Sequence, residues 1–156
     1  MPILTLTTSI AAPRERCFDL ARNIELHLES MRSTGERAIA GVTTGLLGPN
    51  QDVTWEGRHF GLRLQFTSRI TAYRPPTHFQ DSMVSGPFAT FVHEHSFQSN
   101  GGSTVMVDEV TFRSPFGVLG TLVDRLVLVP YLRRLMNRRN LVIKRAAESG
   151  SSGSAA

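Results

Sequence analysis

Residues 91–112 read FVHEHSFQSNGGSTVMVDEVTF. Two runs of period-two alternation meet at Asn100-Gly101, a dipeptide suited to a tight hairpin turn because both central residues of such a turn need positive φ. With Asn100 and Gly101 at the turn centre, Ser99 faces Gly102. Counting back pairs Phe97 with Thr104, His95 with Met106, His93 with Asp108 and Phe91 with Val110. These side chains share a face with Phe112, whereas the opposite face carries Thr90, Glu94, Ser96, Glu109, Thr111 and Arg113 around three valines. The first face is therefore expected to be buried, and it takes two histidines and an aspartate inward. Ionisable groups are costly to bury unpaired, so this trio requires mutual pairing, a solvated cavity or a ligand.

Outward from the hairpin, the pattern stays period-two for most of the preceding chain. Arg37 to Val42 reads as a strand and Gly45 to Asn50 as a loop. Val53 and Trp55 share a face of the next strand. A reversal near His59-Phe60-Gly61 leads into Leu62, Leu64, Phe66, Ser68 and Ile70, while Tyr73-Arg74-Pro75-Pro76-Thr77 must turn, since prolines cannot continue a ladder. Phe79, Asp81, Met83 and Ser85 follow on one face of a further strand. Before this region stand a strand at Ile3 to Ser9, a helix opened by Ala12-Pro13, and a second short helix over Ile24 to Met31.

After the hairpin, Leu119, Leu122, Val123, Leu126, Val129, Leu132, Leu135, Met136, Val142 and Ile143 recur at three- and four-residue intervals, one apolar stripe of a long helix. It is expected from about Pro115 to Glu148, kinked at Pro130. Its arginines, Arg139 among them, are assigned to the polar side. Residues 149–156, rich in Gly, Ser and Ala, read as a disordered tail, leaving a single domain at 1–148.

The chain has 156 residues and 40% hydrophobic content, enough for one core. Cys17 is its single cysteine, which excludes an internal disulfide and points to a reducing, cytoplasmic compartment. No apolar run reaches the length of a membrane span, and neither secretion nor membrane insertion is expected. The formal net charge is +4, and sixteen of the seventeen basic residues are arginine. The arginines are not interleaved with aromatics as a stacking platform requires, so a nucleic-acid partner is not expected. Gly45-Leu46-Leu47-Gly48 lacks the Lys and Ser/Thr of a phosphate loop. Ser68 and Ser85 sit on no nucleophile elbow.

The order of strand, two short helices, about six antiparallel strands and a long C-terminal helix resembles the helix-grip fold of the START-related SRPBCC superfamily, in its ligand-binding and polyketide-cyclase-like branch. The residues that carry the likeness are Ala12-Pro13, Trp55, residues 70–76 (ITAYRPP), Phe79-Gln80-Asp81, Gly86-Pro87-Phe88 with residues 91–97, and residues 115–120 (PFGVLG). The resemblance implies an α+β fold: a curved antiparallel sheet of six to seven strands wrapped around the C-terminal helix, with an elongated apolar cavity between them. It also implies ligands such as lipids, sterols or polyketides.

On this reading Trp55, Leu64, Phe66, Met83, Phe91, Phe97, Met106, Val110, Leu122 and Leu126 line the cavity. Asp81, His93, His95 and Asp108 form its polar centre. His93, between Asp108 and Asp81, is expected to stay protonated near neutral pH and to donate to Asp108, with His95 holding a ligand carbonyl or hydroxyl. His93 and His95 lie about 7 Å apart along one strand, a spacing two zinc ligands can use, with Asp81 or Asp108 as third ligand. The lack of cysteine in this ligand set and the usually metal-free superfamily that the chain resembles argue against a metal, and no cofactor is expected.

Three functions compete. The first is a binding protein for a small hydrophobic molecule, monomeric or homodimeric. The second is a cyclase or dehydratase in which His93 and Asp108 move protons. The third is an interaction protein applying its basic C-terminal helix to an RNA, ribosome or membrane surface.

Overall fold

A computed structural model describes residues 1–151. Seven strands form one antiparallel sheet: β1 (Ile3–Ile10), β2 (Arg37–Gly41), β3 (Asp52–His59), β4 (Leu62–Arg74), β5 (His78–Ser85), β6 (Thr90–Asn100) and β7 (Ser103–Arg113). Their order is β1-β7-β6-β5-β4-β3-β2, so the first two strands of the chain form the two edges. Helices α1 (Arg14–Ala21) and α2 (Ile24–Ser30) bridge the edges. Asn23 caps α2 by accepting from the Leu26 amide at 2.8 Å. A C-terminal helical run closes the sheet: α3 (Gly117–Val123), a π-helical turn (Asp124–Leu128) and α4 (Val129–Ser151). This is the helix-grip arrangement, with α4 on the sheet face that carries Phe91 and Phe112.

Two apolar clusters fasten the helices to that face. Ile143 and Ala147 of α4 pack with Ile10, Phe18, Phe79, Phe97 and Met106. Met136 packs with Leu4, Val110 and Phe112. Phe18 meets Tyr73, Phe79 and Phe97 edge to face, with ring centroids 5.4 to 5.6 Å apart, a favoured aromatic geometry.

The hairpin turns one residue later than its sequence suggests. Gly101 and Gly102 are the central pair, with φ of 56° and 88°, and Asn100 faces Ser103. Two glycines take positive φ without a Cβ penalty, whereas an asparagine retains part of it. Moving the turn by one residue moves every partner by two, so the buried face is kept but the pairs change. Phe97 now faces Met106, Phe91 faces Phe112, His95 faces Asp108, and His93 faces Val110. Both phenylalanines thereby oppose large apolar side chains, whereas the expected register set Phe97 against a threonine.

The C-terminal helix also departs from expectation. Its irregularity falls just before Pro130, as the π turn. Pro130 has no N–H and its ring crowds the carbonyl four residues back, so a locally widened turn relieves both problems without a sharp break. The helix continues to Ser151, into the stretch expected as tail, and 152–156 lie outside the described residues.

The turn assignment is testable by substitution. Nothing lies within 4 Å of a Cβ built on Gly102, so the left-handed φ is the whole penalty there. Gly102→Ala should cost about 1 to 2 kcal/mol, read as a lower urea midpoint. Asn100→Ala, at an exposed strand end, should cost under about 0.5 kcal/mol.

Candidate functional site

Between the sheet and the C-terminal helix lies a chamber of about 690 Å³. Seven of the residues assigned to it from sequence border it: Trp55, Leu64, Phe66, Asp81, Phe91, His93 and His95. The others do not. Phe97, Met106 and Val110 are buried behind the wall in the two apolar clusters. Met83 is half-buried and lies over Gly86. Asp108 is sealed behind the histidines at 0% exposure.

Leu122 and Leu126 point outward, 59% and 68% exposed. The reason is Asp124, which is buried and accepts hydrogen bonds from the Ser114 hydroxyl and, at 3.2 Å, from the Ser114 amide. That anchor turns the Gly120–Asp124–Leu128 face inward and carries residues 122 and 126 away from it. Phe60, Leu62, Phe116 and Leu119 border the chamber and are also exposed, so its mouth opens between the β3–β4 hairpin and α3.

The inner end of the chamber is polar. His93 Nε2 lies 2.8 Å from Asp108 Oδ1, and His95 Nε2 lies 2.6 Å from Asp81 Oδ2. Ser68 donates to the other Asp81 oxygen at 3.1 Å. His95 is stacked between its neighbours, 4.1 Å from the Phe79 ring and 3.7 Å from the His93 ring.

Sequence reading missed the centre's cation. Arg139, assigned to the polar side of α4, is only 4% exposed. Its Nη1 donates to Asp108 Oδ1 at 3.2 Å and to Asn140 Oδ1 at 3.0 Å. Its Nη2 reaches the Ala21 carbonyl at 3.1 Å and His95 Nδ1 at 3.4 Å. Asn140 completes the cradle, donating to Asp108 Oδ2 at 2.8 Å. A faint signal existed: the inward stripe of α4 runs Leu132, Leu135, Met136, Ile143, Ala147, and the turn between them falls on 139–140.

Charges follow from these contacts. Burial would raise the Asp108 carboxyl, but Arg139 and the bonds from the histidines outweigh it and hold it well below the usual carboxylate range. Asp81 is likewise raised by burial, but its bond from His95 and the charges of the surrounding His95, His93 and Arg139 together outweigh this and hold it at about 2. His93 contradicts the expectation of a protonated imidazole. Burial, with the neighbouring His95, pushes it down to about 4 against the opposing pull of Asp108 and Asp81. Arg139 already neutralises Asp108, so a second cation there gains too little to offset its desolvation.

One donor atom from each of Asp81, His93 and His95 lies within 4.8 Å of the others, close enough to reach a common metal ion. The donor set fits such an ion poorly, because His95 Nε2 and Asp81 are bonded to one another and the Arg139 guanidinium beside His95 already supplies a fixed positive charge.

A second polar group, absent from the sequence reading, lines the chamber nearer its mouth. His27 Nε2 is 2.6 Å from Glu36 Oε1 and its ring stacks on Trp55 at 4.0 Å. His59 Nδ1 is 2.6 Å from the Tyr131 hydroxyl. Burial lowers His59 and raises Tyr131, the latter helped by the Glu36 charge. These four residues come from α2, the segment before β2, β3 and α4, with no spacing in common that a sequence could display.

A family model described as Polyketide cyclase / dehydrase and lipid transport matches residues 1–148. No curated protein matches the chain. Among solved structures, a protein of Thermus thermophilus superposes with a TM-score of 0.72 at 17% identity, over 94% of this chain and 99% of that one. A START superfamily protein from Mycobacterium smegmatis gives 0.70 at 11% identity, over 94% and 97%. The major latex-like protein 151 of Panax ginseng gives 0.63 at 12%, also over 94% and 97%. At such identities the likeness is one of fold. Among the described residues no helix is long and apolar enough to cross a membrane.

Two measurements test the polar centre. Arg139→Met leaves Asp108 buried without its countercharge and should lose about 3 to 5 kcal/mol in urea denaturation. Arg139→Lys should recover only part of this, because an ammonium cannot fork between carboxylate, amide and carbonyl. The depressed His93 value sets a pH dependence as well. The unfolded chain binds a proton below its ordinary value of 6.5 while the folded chain resists until about 4. His93 therefore contributes stability fully present above pH 6.5 and lost as pH falls toward 4, on the order of 3 kcal/mol in all. Thermal melts across this acid range should show the slope, and His93→Gln should flatten it.

Proposed function

We propose that this chain, which belongs to the Polyketide cyclase / dehydrase and lipid transport family, is a cytoplasmic small-molecule-binding protein. Its ligand is largely apolar and enters between the β3–β4 hairpin and α3, and its polar end meets the His93–Asp81 region. The observation that carries this reading is the chamber of about 690 Å³, within the size range of sites that enclose small organic ligands. Its walls include Trp55, Leu64, Phe66 and Phe91, with most of the polar groups gathered in two places. Apolar surface left open inside a fold is unfavourable unless something fills it, which supports a resident or exchangeable ligand.

Acid–base catalysis of the cyclase or dehydratase kind is the second reading. A His93 pushed down to about 4 is a weak base at neutral pH. The better-placed groups are the His27–Glu36 and His59–Tyr131 pairs on the chamber wall. An imidazole joined to a carboxylate accepts protons, and a phenol kept neutral donates one.

Trp55 is the chain's only tryptophan and borders the chamber. Its emission should therefore shift on titration with a fatty acid, a flavonoid or a sterol, and native mass spectrometry of the purified protein should show a retained small molecule. An unchanged emission with all three classes, together with a mass equal to the bare chain, would remove the binding reading.

A further inference from the structure

The inner end of the chamber has one nitrogen with nothing to bind. His93 uses Nε2 on Asp108, and Nδ1 has no partner among the described residues. It is not sealed off. The fully buried, unpartnered side-chain polar atoms among the described residues are the Nε atoms of Arg14 and Arg16, and 8% of the His93 side chain stays accessible where it borders the chamber.

Which way that nitrogen faces chemically follows from its neighbours. Asp108 takes hydrogen bonds from Asn140 Nδ2 and Arg139 Nη1, groups that can only donate, so both of its oxygens act as acceptors. The bond with His93 must then run from Nε2–H to the carboxylate. With its proton on Nε2, the neutral imidazole presents a bare lone pair at Nδ1. Nearby groups have the same polarity. Asp81, with 20% of its side chain accessible, is an acceptor that already receives Ser68 and His95. Ser68 spends its proton on Asp81. His95, expected to hold a ligand carbonyl, has Nε2 engaged with Asp81 and Nδ1 wedged between Asp108 and Arg139. Both terminal nitrogens of Arg139 are bonded within the protein.

We infer that the inner end recognises a hydrogen-bond donor, the hydroxyl of a phenol or alcohol on an otherwise apolar ligand, which donates to His93 Nδ1 beside the Asp81 carboxylate. This rests on the binding reading above. An ether or ester oxygen at the same place would face acceptors and leave Nδ1 unpaired, which is the kind of mismatch that discriminates strongly between isosteric ligands. A primary ammonium could also donate, but it must be stripped of water in a mostly apolar chamber, at far greater cost than a hydroxyl.

Isothermal titration of the whole chain with 4-heptylphenol, 4-heptylanisole and a fatty acid tests this. The phenol should bind about tenfold or more tightly than its methyl ether. His93→Leu should bring the two together if it folds. In the wild type, long-range nitrogen–proton NMR spectra should place the His93 proton on Nε2. The Nδ1 resonance should move toward a hydrogen-bonded shift with the phenol and stay put with the ether. Equal affinity for phenol and ether, a proton found on Nδ1, or a fatty acid that binds where the phenol does not would each overturn the inference and leave the chamber's binding role standing. Failure of all three compounds to bind would remove both.

Discussion

A carboxylate with no access to water organises this molecule. Asp108 sits midway along β7, beside the edge strand β1, and its burial is tolerable only because Arg139, Asn140 and His93 all donate to it. Two of those donors come from α4, so neutralising the charge also fixes the azimuth of the helix. Any rotation that removed Arg139 from Asp108 would strand both charges. The same azimuth brings Leu135 and Met136 against the chamber and leaves Arg133, Arg134 and Arg138 toward solvent.

A second anchor holds the other end of the helical run. Asp124, bonded to Ser114 at the exit of β7, sets which face of α3 looks inward. The π turn starts at this anchor and ends just before a proline that cannot complete an ordinary turn. Two polar ties and one imperfect helix thus shape the chamber wall, and the apolar residues that might have continued the stripe are left outside around the mouth. The inner end is a rigid network in which nearly every polar atom has its partner. Nearer the mouth, His27 with Glu36 and His59 with Tyr131 make two pairs drawn from separate elements.

The consequence for chemistry is a division between ends. Where Arg139 supplies the positive charge beside Asp108, His93 has no need to carry one and is left as an acceptor rather than a proton carrier. The charge state of a buried histidine depends on whichever cation the carboxylate already has. Inspection of the strands that carry His93 and Asp108 cannot reveal a guanidinium supplied by a helix that follows them in the chain.

Local rules made the architecture legible. Strict alternation in residues 91–112 separates a buried from a solvated face, and that separation survives a turn displaced by one residue, because partners then move by two and parity is unchanged. The three- and four-residue spacing from Leu119 onward announces a long helix, and with the strand order it identifies the helix-grip fold. Trp55, Phe66, Phe91, His93 and His95 could be assigned inward for the same reason. Tertiary structure decided what periodicity cannot express. The choice of Gly101-Gly102 over Asn100-Gly101 depends on matching side chains across two strands. The outward placement of Leu122 and Leu126 depends on a hydrogen bond between Asp124 and Ser114. The inward placement of Arg139, and with it the neutral state of His93, depends on the energy of a buried charge, a quantity that exists only once strands and helix have come together.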